Sequence, residues 1–275
     1  TAFQPDGPDV LTDGSYDATG NQNQINASME IKSEENDKYY LYIMPSASYS
    51  TESVNSANVS RSLSDGTEIN SSDASVASSG NNMYTNGAVY FGLKELGKKG
   101  RSLYTGAQYA LNTTDKNSHE MSVLNSLGQN SVKDLFYNSD LNNTSAVVSI
   151  NYSEPIGKKW AAEIGAQSKF YRNTNLRNAT NPDGTYNDYY SSSSDNRYIS
   201  NRGALTFQYG NDTTMVHFGV MVDAVQNEVK AKSMGVETVT GKGEWLVNAS
   251  PFVYYNYEKD GIDLGVYYTG TEGRP

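Results

Sequence analysis

Apolar and polar residues take turns along this chain in stretch after stretch. A period of two is the spacing of a β-strand, whose successive side chains point to opposite faces. Ile25, Ala27, Met29 and Ile31 share one face, and Asn26, Ser28, Glu30 and Lys32 share the other. The same alternation sets Leu41, Ile43, Ala47 and Tyr49 on one side of a later stretch, then Leu103, Ala107, Tyr109 and Leu111. It returns in Ala146, Val148, Ile150 and Tyr152, and in Trp160, Ala162, Ile164, Ala166 and Phe170. Val216, Phe218, Val220 and Val222 follow, then Ile262, Leu264, Val266 and Tyr268. Ten strands are predicted, near 24–33, 38–50, 80–93, 101–112, 141–153, 159–172, 197–209, 214–228, 243–257 and 262–270. Most reach the roughly 9–11 residues that a tilted strand needs to cross a bilayer.

The connections between these strands alternate too. Those at 34–37, 94–100, 154–158, 210–213 and 258–261 are short and carry turn residues such as Gly97, Pro155, Gly157, Asn211 and Gly261. Those at 51–79, 113–140, 173–196 and 229–242 are long and polar. Segment 51–80, rich in Ser and Asn, reads as a mobile loop. Tight turns at one rim and long loops at the other are the pattern of an outer-membrane barrel. A soluble β-sandwich also alternates, but it has no reason to make every second connection long, and its strands run to about 5–6 residues. The predicted fold is all-β: an antiparallel meander of about ten transmembrane strands, part of a larger outer-membrane β-barrel. Residues 1–23, rich in Asp, Gly and Asn, read as a polar lead-in, and 24–275 as a partial transmembrane β-barrel domain.

Composition narrows the choice in the same direction. Apolar residues make up 36% of the 275, too few to fill a soluble core of that size comfortably. The 22 tyrosines suit strands and membrane interfaces, having an apolar body and a polar tip. With no cysteine, disulfides and thiolate metal sites are excluded within this span. A net charge of −10 argues against nucleic acid, whose phosphates need a basic face.

Candidate chemistry is sparse. His119 lies beside Glu120 in a long connection, and His217 lies on the polar face of a strand. His217 is in step with Asp223 but roughly 20 Å away along the strand, too far for a tight pair. It also follows a short turn, the wrong rim for an outer-membrane protease. The oxygen-rich stretch from Asn181 to Asp188 has neither the spaced acids nor the terminal Glu of a calcium loop, and it reads as an Asx/Gly turn. Tyr186, Tyr189 and Tyr190 would either stack on a sugar or peptide ligand or continue an aromatic girdle. Glu163, Lys169 and Asp263 fall on the polar, lumen-facing side. No catalytic, metal-binding or cofactor-binding residue is assigned, no enzyme is expected, and no ligand is named by the sequence.

Three turn regions carry a resemblance. The first runs Phe91-Gly-Leu-Lys-Glu-Leu-Gly-Lys-Lys-Gly-Arg-Ser-Leu103, a strand, a basic Gly-rich turn and a new strand. The second is Tyr152-Ser-Glu-Pro-Ile-Gly-Lys-Lys-Trp160, and the third Trp245-Leu-Val-Asn-Ala-Ser-Pro251 followed by Tyr254-Tyr255. The end, Tyr267-Tyr-Thr-Gly-Thr-Glu-Gly-Arg-Pro275, looks like the start of a fourth. Together they resemble the outer-membrane β-barrel family allied to TonB-dependent receptors, found chiefly in Bacteroidota. The resemblance implies a barrel of about 22 strands with a plugged lumen. It also implies a bacterial outer-membrane location among lipid, and uptake of a bulky nutrient. A plug domain and the TonB complex would be partners of the full-length protein. This sequence departs from that pattern in holding about ten strands and neither a plug nor a TonB-contacting segment, so a fragment is expected. The alternative is a self-contained ten-stranded barrel acting as adhesin or protease, ten being an allowed number. A soluble binding sandwich is the third reading.

Overall fold

The computed structural model describes residues 10–33, 38–126, 128–210, 213–241, 243–259 and 262–270; the side chains of Lys259, Ile262 and Asp263 lie outside that description. Its strands are β1 (Val10–Ser28), β2 (Ile31–Lys32), β3 (Tyr39–Ser64), β4 (Thr67–Lys94), β5 (Ser102–Ser126) and β6 (Gln129–Pro155). They continue with β7 (Trp160–Thr180), β8 (Ser192–Gly210), β9 (Thr214–Ser233), β10 (Val236–Thr240), β11 (Trp245–Lys259) and β12 (Ile262–Thr269). All belong to one antiparallel sheet. Ten of them follow each other in chain order as a meander, while β2 pairs with β3 and β10 with β9 at its margins. Neither β1 nor β12 has a partner on its outer side among the described residues, so the sheet is open.

Two corrections to the sequence reading concern length. The strand placed at 24–33 begins already at Val10, and its residues 10–28 pair with β3. The connections placed at 51–79, 113–140, 173–196 and 229–242 are mostly strand: β3 and β4 remain paired up to Ser64 and Thr67, β5 and β6 up to Ser126 and Gln129. Segment 51–80 is therefore the upper half of a hairpin rather than a loop. Its tip is Asp65-Gly66, with φ of 50° and 79°. Positive φ at both central residues is the turn whose twist matches the flanking strands, and Asp-Gly is a preferred pair for it. Amide exchange in 53–62 and 71–78 is expected to be slowed by this pairing. Coil-like exchange there would contradict the hairpin.

The register sorts the side chains by face. One row runs Tyr39, Leu93, Leu103, Tyr152, Ile164, Leu205, Val220 and Pro251, one residue from each of eight strands. A row on the opposite face runs Tyr42, Tyr90, Gly106, Ser149, Gln167, Arg202, Asp223 and Asn248. The apolar face is uncovered: Ile164 is 60% exposed and Val148 55%. Among the described residues the buried hydrophobic side chains are only Leu135, Tyr137, Ala179 and Val225. A sheet that hid its apolar face against a second layer would show the reverse.

Candidate functional site

On β7 the apolar face runs from Trp160 to Phe170, eleven residues. At about 3.3 Å per residue and a tilt near 45°, this stretch stands roughly 25 Å tall. Aromatic rings border it at the short-turn edge. Trp160 lies 5.0 Å from Tyr209 and 6.2 Å from Phe218, centroid to centroid. On the polar face, Arg202 is held by Asp223 at 2.7 Å and Gln208 donates to Glu163 at 2.8 Å. Lys169 also lies on that face, opposite Val147 and Ser200; the side chain of Asp263 is outside the described residues. A row of asparagines crosses the same face: Asn112, Asn143, Asn173 and Asn196 stand opposite one another on β5 to β8. Asn173 donates to Asn143, while the amide oxygens of Asn112 and Asn196 at the ends of the row are buried and take no protein donor. Such acceptors suit a face that meets water or a polar occupant.

The short-turn rim is fastened by one carboxylate. Glu154 accepts from Arg101 Nε at 2.7 Å and Nη2 at 3.0 Å, from Tyr152 Oη at 2.6 Å, and from Lys98 Nζ at 3.2 Å. Lys98 also donates to the Pro155 carbonyl. These contacts tie the 95–101 turn to the 156–159 turn. The two turn motifs of the sequence thus meet: Arg101 of the first holds Tyr152 and Glu154 of the second through charge-assisted bonds. Glu154→Gln is expected to lower the unfolding midpoint, because Arg101 and Lys98 then lose the carboxylate they share. An unchanged midpoint would refute the clamp.

At the other rim, among the described residues, the connection that stays largely outside the strands is the one between β7 and β8, residues 181–191. It is well ordered by its own hydrogen bonds. Asn187 N donates to the Ala179 carbonyl at 2.8 Å, Ala179 N to Ser191 Oγ at 2.9 Å, and Ser191 Oγ to the Asn187 carbonyl at 2.7 Å. Asn181 donates from its backbone N to the Thr185 carbonyl and from Nδ2 to Thr185 Oγ1, each at 2.9 Å, and Asp183 accepts from the Thr185 hydroxyl and amide at 2.6 and 2.9 Å. Those two donors hold the Asp183 carboxyl below its ordinary range. Most oxygens of this stretch are spent on the turn itself, while the Asp188 carboxylate accepts from Lys232 of β9 at 2.7 Å. Among the described residues no group of three or more His, Cys, Asp or Glu stands ready for a metal.

The loop lies over the polar face of β6 and β7, where Leu135, Tyr137 and Ala179 form a small buried cluster. Arg177 lies 3.8 Å above the Tyr137 ring, and Lys133 sits 5.1 Å from Tyr190 and 2.7 Å from Glu120. Tyr186, Tyr189 and Tyr190 remain 57%, 59% and 41% exposed, with the last two edge-on at 5.0 Å. None of the three lies on a strand of the apolar band. Lys133, Arg177 and Glu120 carried no signal in the sequence, because they come from three strands and meet only through the register.

The two histidines stay apart. His119 is on β5, opposite Phe136 and stacked on it at 4.2 Å, with Nε2 2.7 Å from Asp134. Its sequence neighbour Glu120 points to the other face. His217, on the polar face near the short-turn rim, meets Tyr254 edge-on at 5.8 Å. No family model matches the chain, and a search of curated proteins finds no match either.

Proposed function

We propose that this chain is part of the wall of a transmembrane β-barrel in a bacterial outer membrane, within a TonB-dependent-receptor-like protein that takes up a bulky nutrient. The observation that carries the membrane part is the uncovered apolar face, continuous over eight strands and about as tall as an outer-membrane hydrocarbon layer. Aromatic rings at its short-turn edge suit the interface, where a ring rests its body in lipid and its polar tip in water. The opposite face carries an ion pair, an amide row and tyrosines, as a wet or plugged lumen allows. Tall hairpins at one rim and short clamped turns at the other give the wall its outside and its periplasmic side. The nutrient role rests on the turn motifs and on the exposed tyrosines of the 181–191 loop.

The self-contained ten-stranded barrel would pair β1 with β12, and no such pairing exists among the described residues. The full reading frame tests the receptor reading: a plug-like segment before this span and further alternating strands are expected. Their absence, together with compact, heat-modifiable migration of this span alone in detergent, would replace it with the ten-stranded barrel.

A further inference from the structure

The apolar band stops abruptly at its hairpin-side edge. Phe170 of β7 and Ile199 of β8 face each other in its last apolar row there. One pleat higher on the same face, Arg172 stands directly opposite Arg197. Like charges in directly opposed positions destabilise a sheet, so such a pair calls for compensation. Asp195, one pleat higher again, supplies part of it. It accepts from Arg172 Nε and Nη2, each at 3.0 Å, and from Arg197 Nη2 at 3.0 Å. β9 adds Lys230 opposite Asp195, with its Nζ 3.0 Å from Glu228. Three cations thus share two carboxylates.

The arginines keep capacity for another anion. A guanidinium has five N–H donors in a planar fork. Asp195 takes two from Arg172 and one from Arg197. The side chains of Arg172, Arg197 and Lys230 are 43%, 47% and 55% exposed. Their height matters as much as their charge. Arg172 lies twelve residues along β7 from Trp160 at the opposite edge. This places it roughly 28 Å above that edge for a strand tilted near 45°. The hydrocarbon layer ends at about that height, and the headgroups begin. The cations also face outward with Phe170 and Ile199, so the group they meet belongs to the bilayer rather than to the lumen.

We propose that Arg172, Arg197 and Lys230 form a binding site for the phosphate of an anionic lipid headgroup on the outward face of β7 to β9. The inference rests on the membrane reading above. The forks of the two arginines match phosphate oxygens, and Lys230 adds a point charge beside them. Asp195 keeps the two arginines together when no lipid is bound.

The test uses the protein reconstituted in phosphatidylcholine vesicles, with and without a fraction of phosphatidic acid, a phosphomonoester lipid. Lipid retained through detergent extraction is measured by mass spectrometry. Wild type is expected to retain phosphatidic acid selectively. Arg172→Gln with Arg197→Gln should reduce retention roughly 30-fold, since one cation near an anionic surface is worth about fivefold. Lys159→Gln at the opposite rim should leave it unchanged, and Arg197→Gln alone, a milder change, should give an intermediate loss. Equal retention by wild type and the double variant, both inserted, would overturn the site and leave the membrane reading standing. Displacement of the lipid by an equal concentration of inorganic phosphate would overturn it in favour of a soluble anion. Failure of the wild type to insert would overturn the membrane reading itself.

Discussion

Ile164→Arg is expected to destabilise the inserted protein by about 2–4 kcal/mol, the cost of a cation on the lipid face near the bilayer midplane. Ile164 lies in mid-band on β7, is 60% exposed, and stands opposite Tyr152 and Leu205. Gln108→Arg, on the polar face of β5 opposite Ala88 and Val147, should change stability by no more than about 0.5 kcal/mol, as an ordinary wetted surface substitution does. Unfolding by urea from lipid vesicles measures both. In a soluble sheet whose apolar face met water, the two changes would cost about the same, so the difference between them is the informative quantity.

The second large effect is expected on the polar face. Gly92 of β4 is buried beneath two tyrosines, Tyr40 of β3 and Tyr104 of β5, which stand opposite it on either side. The two rings are 5.9 Å apart, centroid to centroid. A Cβ at Gly92 would meet Tyr104 Cδ1 at 2.8 Å and run into the Tyr40 ring. Neither ring can keep its place over a larger residue, and overpacking of this kind costs about 1–3 kcal/mol. Gly92→Val should therefore lower the stability by that amount and disturb near-ultraviolet tyrosine dichroism. Gly203→Ala is the control, since nothing lies within 4 Å of a Cβ built there. Equal effects at the two glycines would mean that the tyrosines do not pack as described.

These two sites show what the sequence could and could not reveal. The alternation from Trp160 to Phe170 is written in neighbouring residues, so the band, its facing and the meander were legible directly. The upper halves of the hairpins were not. In 51–79 both faces meet water, so Ser, Asn and Thr fill both, and the period of two disappears although the backbone pairing continues. Hydrophobic pattern reports burial or lipid contact, and backbone hydrogen bonds need neither. Residues 10–23 escape the pattern for the same reason. The tyrosines above Gly92 and the clamp on Glu154 depend on register between strands, which no single stretch of chain encodes. The turn motifs around Arg101 and Glu154 were visible as separate patterns, and their meeting was not.

The central claim is that one face of the sheet meets lipid and the other does not. The chain has no cysteine, so single cysteines can be placed at will and labelled without background. Cysteines at 161 to 169 along β7, each carrying an environment-sensitive fluorophore, should be read in vesicles with and without brominated acyl chains. The account predicts quenching at 162, 164, 166 and 168 and little at 161, 163, 165, 167 and 169. Uniform quenching, uniform protection, or alternation unaffected by brominated lipid would contradict it.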